Sequence, residues 1–523
     1  MAHYARTDFG DDFACETTLS LRKLNRRRNM SAFTRRDLFK KTVFGGAALA
    51  AVTHVSASPV SGKPVSGGEF DVVVLGCGIA GVVAAIEARM AGASVALLEK
   101  MDRPAGNAIC ALGGFCAWGS RHQKALGIKD SAEEFYAAMM DISAGRADPE
   151  LTRVYTENIP GDTDWLESAF NLPFGKPRTA AYPRLNRVCS IDGEGVTGGA
   201  NAVFKIMEAA KKAGVQFFWE HKAVELVTND KGEVTGVIAQ TPADKRLFMA
   251  KGGVCICTGG FSANQEMTDK YIGGWASRLA LRGSPYTTGE NISLCMPVFA
   301  KFVNMDQFHT GPIVSETHVN PNEILNSYNG IIVDLHGKRF VDESSTYVIK
   351  SLECAKKTLE NRAWVIVDSK CKALAKVTRR FELLNTTYYE ASTLEELCKK
   401  AKLPYDTVAK NVKRYNDGIA KDTLIDMVPP CTYHNPIPLD KGPFYAFPFE
   451  GGMTATFGGP LINTRAEVQN NEKRSIPGLY AAGNAAGGLF FRNYIGGAQF
   501  GAATVFGRIA GREMAARAKR ARQ

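Results

Sequence analysis

The clearest pattern in the chain is a short apolar run, Val72 to Leu75, that gives way at once to Gly76-x-Gly78-x-x-Gly81. Four consecutive apolar, mostly β-branched positions bounded by glycine predict a buried strand, being too short for a helix. The small residues after Gly81 predict a helix, and Val95 to Leu98 predicts a second buried strand ending on Glu99. Each part has a chemical use. Gly76 permits a tight turn, Gly78 lets backbone approach a pyrophosphate, and Gly81 lets the helix pack close to the sheet. Free N–H groups at the helix start favour phosphate. Glu99 is placed to accept a hydrogen bond from a ribose hydroxyl. Together they predict a dinucleotide site.

Further along, Gly106-Asn107-Ala108 and Gly113-Gly114 form a small-residue loop suited to lie against a flat ring. Phe, Met, Leu and Trp recur at helical spacing over residues 131–170, the mark of core-facing helices. A glycine-rich loop at 192–199 leads into a helix near Ala202 to Ala213. Val215 to Trp219, Val224 to Val227 and Val234 to Ala239 read as strands, the last two joined by the turn Asn229-Asp230-Lys231-Gly232. Gly252 to Gly260 is a buried strand ending in Thr258-Gly259-Gly260, a second close approach of backbone to a nucleotide. From about 304 to 453 the pattern becomes mixed α/β, with a strand at 330–334 and a helical stretch over 392–418. Glycine-rich sequence returns at Ile476-Pro-Gly-Leu-Tyr480-Ala-Ala-Gly483-Asn484, and Tyr494-Ile-Gly496-Gly497 opens a final small-residue helix. The predicted architecture is α/β: a Rossmann-type nucleotide-binding domain (58–303 and 454–523) with an inserted mixed α/β capping domain (304–453).

Composition adds little to this for the body of the chain: 523 residues, 45% hydrophobic and 22% charged, describe a globular protein with a large core. It matters more at the start. Thr34-Arg35-Arg36-Asp37-Leu38-Phe39-Lys40 is a twin-arginine pattern, followed by a mildly apolar segment (Val43 to Val52) and a small-x-small site at Val55-Ser56-Ala57. The apolar piece is too short to span a bilayer, so residues 1–57 are expected to be an export leader and no stable membrane span is expected. Met1 and Met30 both qualify as the start. The chain's net charge of +11 drops to about +6 beyond residue 57, where 54 basic face 48 acidic residues. That excess does not call for nucleic acid. Of 12 cysteines, 11 follow the leader, scattered and mostly in apolar runs. They predict buried thiols rather than a disulfide framework, and without a C-x-x-C pair or histidine cluster no metal site is predicted.

Asp71–Lys100, Gly106–Gly114, Thr258–Phe261, Lys338–Glu343 and Ile476–Gly511, in this order, resemble the flavoprotein superfamily of fumarate reductase and succinate dehydrogenase. That superfamily includes soluble exported fumarate and urocanate reductases and the 3-ketosteroid dehydrogenases. The resemblance implies FAD, and hydride exchange between flavin N5 and a carbon–carbon bond conjugated to a carbonyl. It implies cofactor contacts at Gly76, Gly78, Ala80, Gly81, Glu99, Lys100, Asn107, Ala108, Gly113, Gly114, Ala223, Thr258, Gly259, Gly260, Asn484 and Ala498. Membrane-complex members attach flavin to a histidine near the position of Asn107, so non-covalent FAD is implied here. Thr288-Gly289-Glu290-Asn291 departs from the usual glycine-rich stretch, leaving that loop's contact open.

The departures concern the reaction. The arginine that delivers a proton in fumarate reductases, a few residues after the R-F-x-x-E motif, is replaced by Tyr347. The arginine that clamps a substrate carboxylate corresponds to Tyr494, and a substrate-binding histidine has become Ala455 or a neighbour. His309 retains a fumarate-reductase-like position. Tyr494, Tyr347 and the amide of Ala498 instead resemble the 3-ketosteroid dehydrogenase pattern, in which a tyrosine and a backbone amide polarise the ketone and a second tyrosine moves the proton. Phe308, Phe457, Phe490, Phe491 and Trp118 are candidate apolar walls. The resemblance and the twin-arginine leader together imply an exported, periplasmic reductase of a bulky enone, with a separate electron donor such as a periplasmic cytochrome c. Three alternatives stay open. One is a reductase of a small unsaturated carboxylate that uses Arg492 or Arg187 as its clamp. The others are a 3-ketosteroid dehydrogenase working oxidatively and a non-catalytic flavin electron carrier.

Overall fold

The computed structural model describes residues 63–178, 186–327, 329–433 and 435–523. The twin-arginine stretch lies outside the described residues. The apolar run of the opening motif becomes strand β1 (Val65–Leu75), followed by helix α1 (Ile79–Met90) and strand β2 (Val95–Leu98). Helix α2 (Gly198–Ala213) leads to β3 (Gln216–Phe218), then β4 (Lys222–Thr228), β5 (Val234–Gln240) and the long β6 (Lys245–Ile256). Near the C-terminus, β11 (Glu467–Gln469), β12 (Ser475–Ala481) and helix α6 (Ala498–Ala521) complete this layer.

The sheet runs β11-β12-β6-β1-β2-β3. From β12 to β3 every neighbour is parallel. Such a core is covered on both faces, which explains why Val72, Val73, Val74, Ala96 and Leu97 are wholly buried. β6 serves two partners on one edge. Its first half, Lys245 to Met249, pairs antiparallel with β5, and its end, Val254 to Ile256, pairs with β12. The β4–β5 meander is thereby held beside the nucleotide sheet. The strand order switches at β1, with β2 on one side and β6 on the other, so the crevice beyond the carboxyl ends of β1 and β6 is where such folds bind ligands. Helix α6 lies on α1 with glycines at the contact. A Cβ on Gly507 would stand 2.8 Å from the Ala80 carbonyl, and one on Gly511 2.5 Å from that of Ala84. This close packing brings the start of α6 to the same crevice.

A second sheet contains β7 (Phe308–Ile313), β8 (Ile331–Asp334), β9 (Arg362–Asp368) and β10 (Phe444–Thr456), antiparallel in the order β7-β10-β9-β8. Period-two alternation divides its side chains between two cores. Ile332, Val365, Val367, Phe447 and Phe449 pack toward helix α3 (Tyr347–Lys357) and the helix Leu374–Leu383. Ile331, Val333, Ile366 and Ala446 pack toward α4 (Leu394–Ala401) and α5 (Tyr405–Lys421). The single helical stretch expected over 392–418 is thus two helices. Lys402 turns left-handed after α4, and Pro404, which has no N–H to continue a helix, precedes α5. Likewise 131–170 divides into helices Ala132–Ile142 and Pro149–Phe170. All 11 described cysteines are free thiols, and all but the exposed Cys110 are buried. Among the described residues no helix is long and apolar enough to cross a membrane.

Candidate active site

A cavity of about 1200 Å³ runs from the carboxyl ends of β1 and β6 to the second sheet. Its first end is built by the opening motif, and the three glycines divide their work. Gly76 has φ +101°, and a Cβ there would stand 2.6 Å from the Cys257 carbonyl. A Cβ on Gly81 would collide with the Gly76 carbonyl at 1.9 Å, so this glycine seats α1 on the turn. A Cβ on Gly78 would meet nothing within 4 Å, and Gly78 lines the cavity. That opening sits at the start of α1, which no side chain caps. Open backbone at a helix N-terminus is the cradle a pyrophosphate requires. Glu99 lies deep beside it, one carboxylate oxygen accepting from the Cys77 amide at 2.9 Å and the other from Met101 at 3.0 Å. Burial raises its pKa, against the lowering effect of those amides and of Lys100. Each oxygen retains acceptor capacity for a ribose hydroxyl. These features fit the adenosine diphosphate half of FAD.

Ala80, Ala108, Gly114, Ala223, Thr258, Gly259 and Asn484 also line the cavity. Gly113 and Gly260 do not. A Cβ on Gly113 would sit 2.7 Å from the Gly198 Cα, and one on Gly260 2.0 Å from the Thr456 hydroxyl, so both are packing glycines, as Gly81 is. Lys100 lines the cavity with its ammonium engaged: Nζ is 2.7 Å from both the Thr288 hydroxyl and Glu290 Oε1. The departure at Thr288-Gly289-Glu290 therefore supplies the partner of Lys100. Asn107 acts as a staple, its Oδ1 accepting from the Ser284 amide at 2.6 Å and its Nδ2 donating to the Thr454 carbonyl at 2.8 Å.

At the other end Tyr347, Tyr494 and His309 converge on the cavity wall from three elements. His309 lies on β7, Tyr347 opens α3, and Tyr494 precedes α6. The imidazole stands edge-on to both phenols, with ring centroids 4.6 Å from Tyr494 and 5.9 Å from Tyr347. Its Nε2 is 3.4 Å from the Tyr347 hydroxyl, while Nδ1 is buried without a partner among the described residues. Burial, and secondarily the charge of Arg282, holds the His309 pKa well below its ordinary value, so the ring is neutral at pH 7. Burial, followed by the adjacent Tyr347 hydroxyl, pushes Tyr494 well above 10, so its hydroxyl remains a proton-bearing donor. Phe457 and Phe490 pack behind Tyr494, at 6.3 and 6.2 Å between centroids. Neither of them lines the cavity, nor do Phe308, Phe491 or Trp118.

Three expectations are corrected. Ala498 is buried and off the cavity, and its amide donates to the Ile495 carbonyl at 2.9 Å, closing the turn before α6. It is therefore not free to polarise a substrate carbonyl; Gly496 and Gly497 are the backbone that lines this wall. Arg187 is only 1% exposed and grips Asp130 with Nε and Nη2 at 2.6 and 2.5 Å, away from the cavity. Arg492 is also off the cavity. What residue-by-residue reading missed is Arg282, whose side chain reaches the wall beside His309 and Tyr494. Nothing in the local sequence marks it.

The FAD binding domain family matches residues 71–500. A fumarate reductase (cytochrome) of Shewanella frigidimarina is 30% identical over 456 residues, 86% of this chain and 78% of the relative. Among solved structures, the open conformation of a flavocytochrome c3 fumarate reductase superposes with a TM-score of 0.75 at 28% identity, covering 87% of this chain and 79% of that one. A 3-ketosteroid-Δ4-(5α)-dehydrogenase from Rhodococcus jostii RHA1, in complex with 4-androstene-3,17-dione, gives 0.71 at 26% identity, covering 88% and 99%. The glycine cradle, the buried Glu99 and these matches agree: the chain belongs to the FAD binding domain family, in the flavoprotein superfamily of fumarate reductase and succinate dehydrogenase, and is an FAD-dependent oxidoreductase of carbon–carbon bonds.

Proposed function

We propose that this protein reduces a carbon–carbon double bond conjugated to a carbonyl in a bulky substrate, using non-covalent FAD and electrons from a separate carrier. The observation that carries this reading is the meeting of Tyr347, Tyr494 and His309 at one end of the cavity whose other end fits the adenosine diphosphate of FAD. Bound FAD would supply two electrons and the hydrogen for the β-carbon. The remaining work belongs to the chain. Tyr494, protonated by virtue of its burial, donates to the carbonyl oxygen as charge develops there. Tyr347 protonates the α-carbon as general acid. Neutral His309, 3.4 Å from the Tyr347 hydroxyl, orients it. Asn107, tied to Ser284 and Thr454, supports unlinked flavin by holding the loops that border the ring site.

The twin-arginine pattern at Arg35-Arg36 supports export with the cofactor inserted, and hence a periplasmic donor such as a cytochrome c. Purified holoenzyme, driven by reduced viologen, should reduce members of a panel of cinnamates, 4-ene-3-ketosteroids and other enones faster than fumarate or urocanate. Rapid turnover of fumarate with none of any larger substrate would refute the proposal. Acid precipitation should leave the flavin in the supernatant; flavin retained in the pellet would refute non-covalent attachment.

A further inference from the structure

Arg282 is the site's unexplained group. The short strand Ala280–Leu281 pairs with Gly452 and Met453 of β10, and the Arg282 amide then donates to the Met453 carbonyl at 2.8 Å. The side chain is held at two points: Nε donates to the Pro312 carbonyl at 3.1 Å, and Nη1 to the Thr454 hydroxyl at 2.7 Å. The second sheet makes room for it. A Cβ on Gly311 would stand 2.6 Å from the guanidinium carbon, and one on Gly452 2.9 Å from the Arg282 Cβ. β7 and β10 are thus bare where the arginine crosses them. An arginine so fixed has surrendered its conformational freedom before any ligand arrives.

No described residue neutralises its charge. Among the described residues no carboxylate lies within salt-bridge distance of Arg282, whereas the neighbouring cavity cations are paired: Lys100 and Lys222 with Glu290, and Arg380 with Glu323. Arg178 also lines the cavity with no carboxylate partner among the described residues, but its Nε donates to the Ser190 hydroxyl at 3.3 Å and its guanidinium lies beside Gly114. A guanidinium has five N–H donors; two are used, and no bond from Nη2 to the described residues is present. The two groups beside it, His309 and Tyr494, are both held neutral and supply no counter-charge. A half-buried cation without an anion is costly, and a fork with donors to spare matches a carboxylate.

We infer that Arg282 is the anion clamp of this active site and that the substrate carries a carboxylate. The inference refines the substrate class of the proposed reduction and rests on that reading for the word substrate. Arg282 follows the short strand Ala280–Leu281 beside β10, and its side chain lies over the paired glycines Gly311 and Gly452. This places the clamp on a different element from Tyr494, which leaves the Tyr494 hydroxyl available to a carbonyl oxygen.

The test uses binding, so that it does not depend on turnover. Oxidised holoenzyme is titrated with cinnamate and with the isosteric neutral cinnamamide, followed by the flavin difference spectrum. Loss of a charge-assisted contact corresponds to about 10- to 100-fold in affinity, so cinnamate should bind at least about tenfold tighter. Arg282→Gln should bring the two ligands within about threefold of each other, and Arg282→Lys should restore part of the preference by keeping charge without the fork. Gly311→Ala, whose methyl would displace the guanidinium, should also erode the preference with Arg282 intact. Equal affinity of the wild type for both ligands would overturn the inference. So would a preference that survives Arg282→Gln, or an Arg282→Gln protein purified without flavin, which would make the arginine a cofactor ligand. Failure of every enone and unsaturated acid to turn over would overturn the proposed reduction and leave this binding result standing.

Discussion

Two substitutions three residues apart should have opposite effects, because the glycines they replace face different things. Gly81→Ala places a methyl 1.9 Å from the Gly76 carbonyl, where ordinary contact begins at 3.4 Å. The turn and α1 must separate by about 1.5 Å to admit it, and overpacking of this kind costs at least about 2 kcal/mol. Gly78→Ala places its methyl in open space, at a residue with φ −80° and ψ −178°, which any L-amino acid adopts. The apoprotein should therefore be unaffected, or stabilised by about 0.5 kcal/mol through the unfolded chain's lost freedom. The same methyl stands where a pyrophosphate must approach the backbone. FAD affinity should then fall about 30-fold, corresponding to about 2 kcal/mol. Urea unfolding of apoprotein, followed by circular dichroism, gives the first quantity. Quenching of flavin fluorescence on titration into apoprotein gives the second. Gly81→Ala should lose stability, and Gly78→Ala should lose affinity alone. Wild-type FAD affinity in Gly78→Ala would refute the assignment of that opening to the cofactor. Equal destabilisation of both apoproteins would refute the steric reasoning.

Tyr494→Phe and Tyr347→Phe should each lower kcat/KM for the reducible substrate by about 10²- to 10³-fold with flavin content unchanged; rates within threefold of wild type would remove the phenols from the mechanism. Arg339 and Glu343 form a buried pair, with Arg339 Nε 2.7 Å from Oε1 and Nη2 2.5 Å from Oε2. Arg339→Met strands the carboxylate and should cost about 3–5 kcal/mol in urea unfolding, partly recovered in the double variant with Glu343→Gln. Lys350 is wholly buried, and burial lowers its pKa from 10.5 to about 8. Between those values the unfolded chain binds a proton that the native chain does not, so stability rises with pH across that window. Below pH 8 the penalty, roughly 3 kcal/mol, is fully present. Lys350→Met should therefore lose stability relative to wild type as pH is raised from 8 toward 10.5, and a pH-independent difference would count against the assignment.

How much of this was legible in sequence depends on how locally each property is encoded. The strand, the three glycines, α1 and Glu99 occupy one continuous stretch, and each constraint acts between near neighbours in the chain. Spacing alone therefore determined the nucleotide site, and unbroken apolar runs determined which of its strands are buried. Tyr347, Tyr494 and His309 were recognisable by motif position, but only the tertiary structure put their rings within 6 Å of the imidazole. The amide of Ala498 looked equally available on paper. A turn bond to Ile495, a matter of backbone angles that composition does not encode, took it out of use.

The arginines show the limit most sharply. Arg187, Arg492 and Arg282 are the same residue type, and their flanking sequence does not rank them. Arg187 is consumed by Asp130, 57 positions earlier, and Arg492 stays outside the cavity. Arg282 reaches the site because Gly311 and Gly452, on two strands 29 and 170 residues away, are bare where it crosses. Sequence by itself determined that this chain binds a dinucleotide and, by resemblance, that it works on carbon–carbon bonds. Which charge faces the substrate was decided by the tertiary structure, because a charge's availability depends on what folding places within a few ångströms of it.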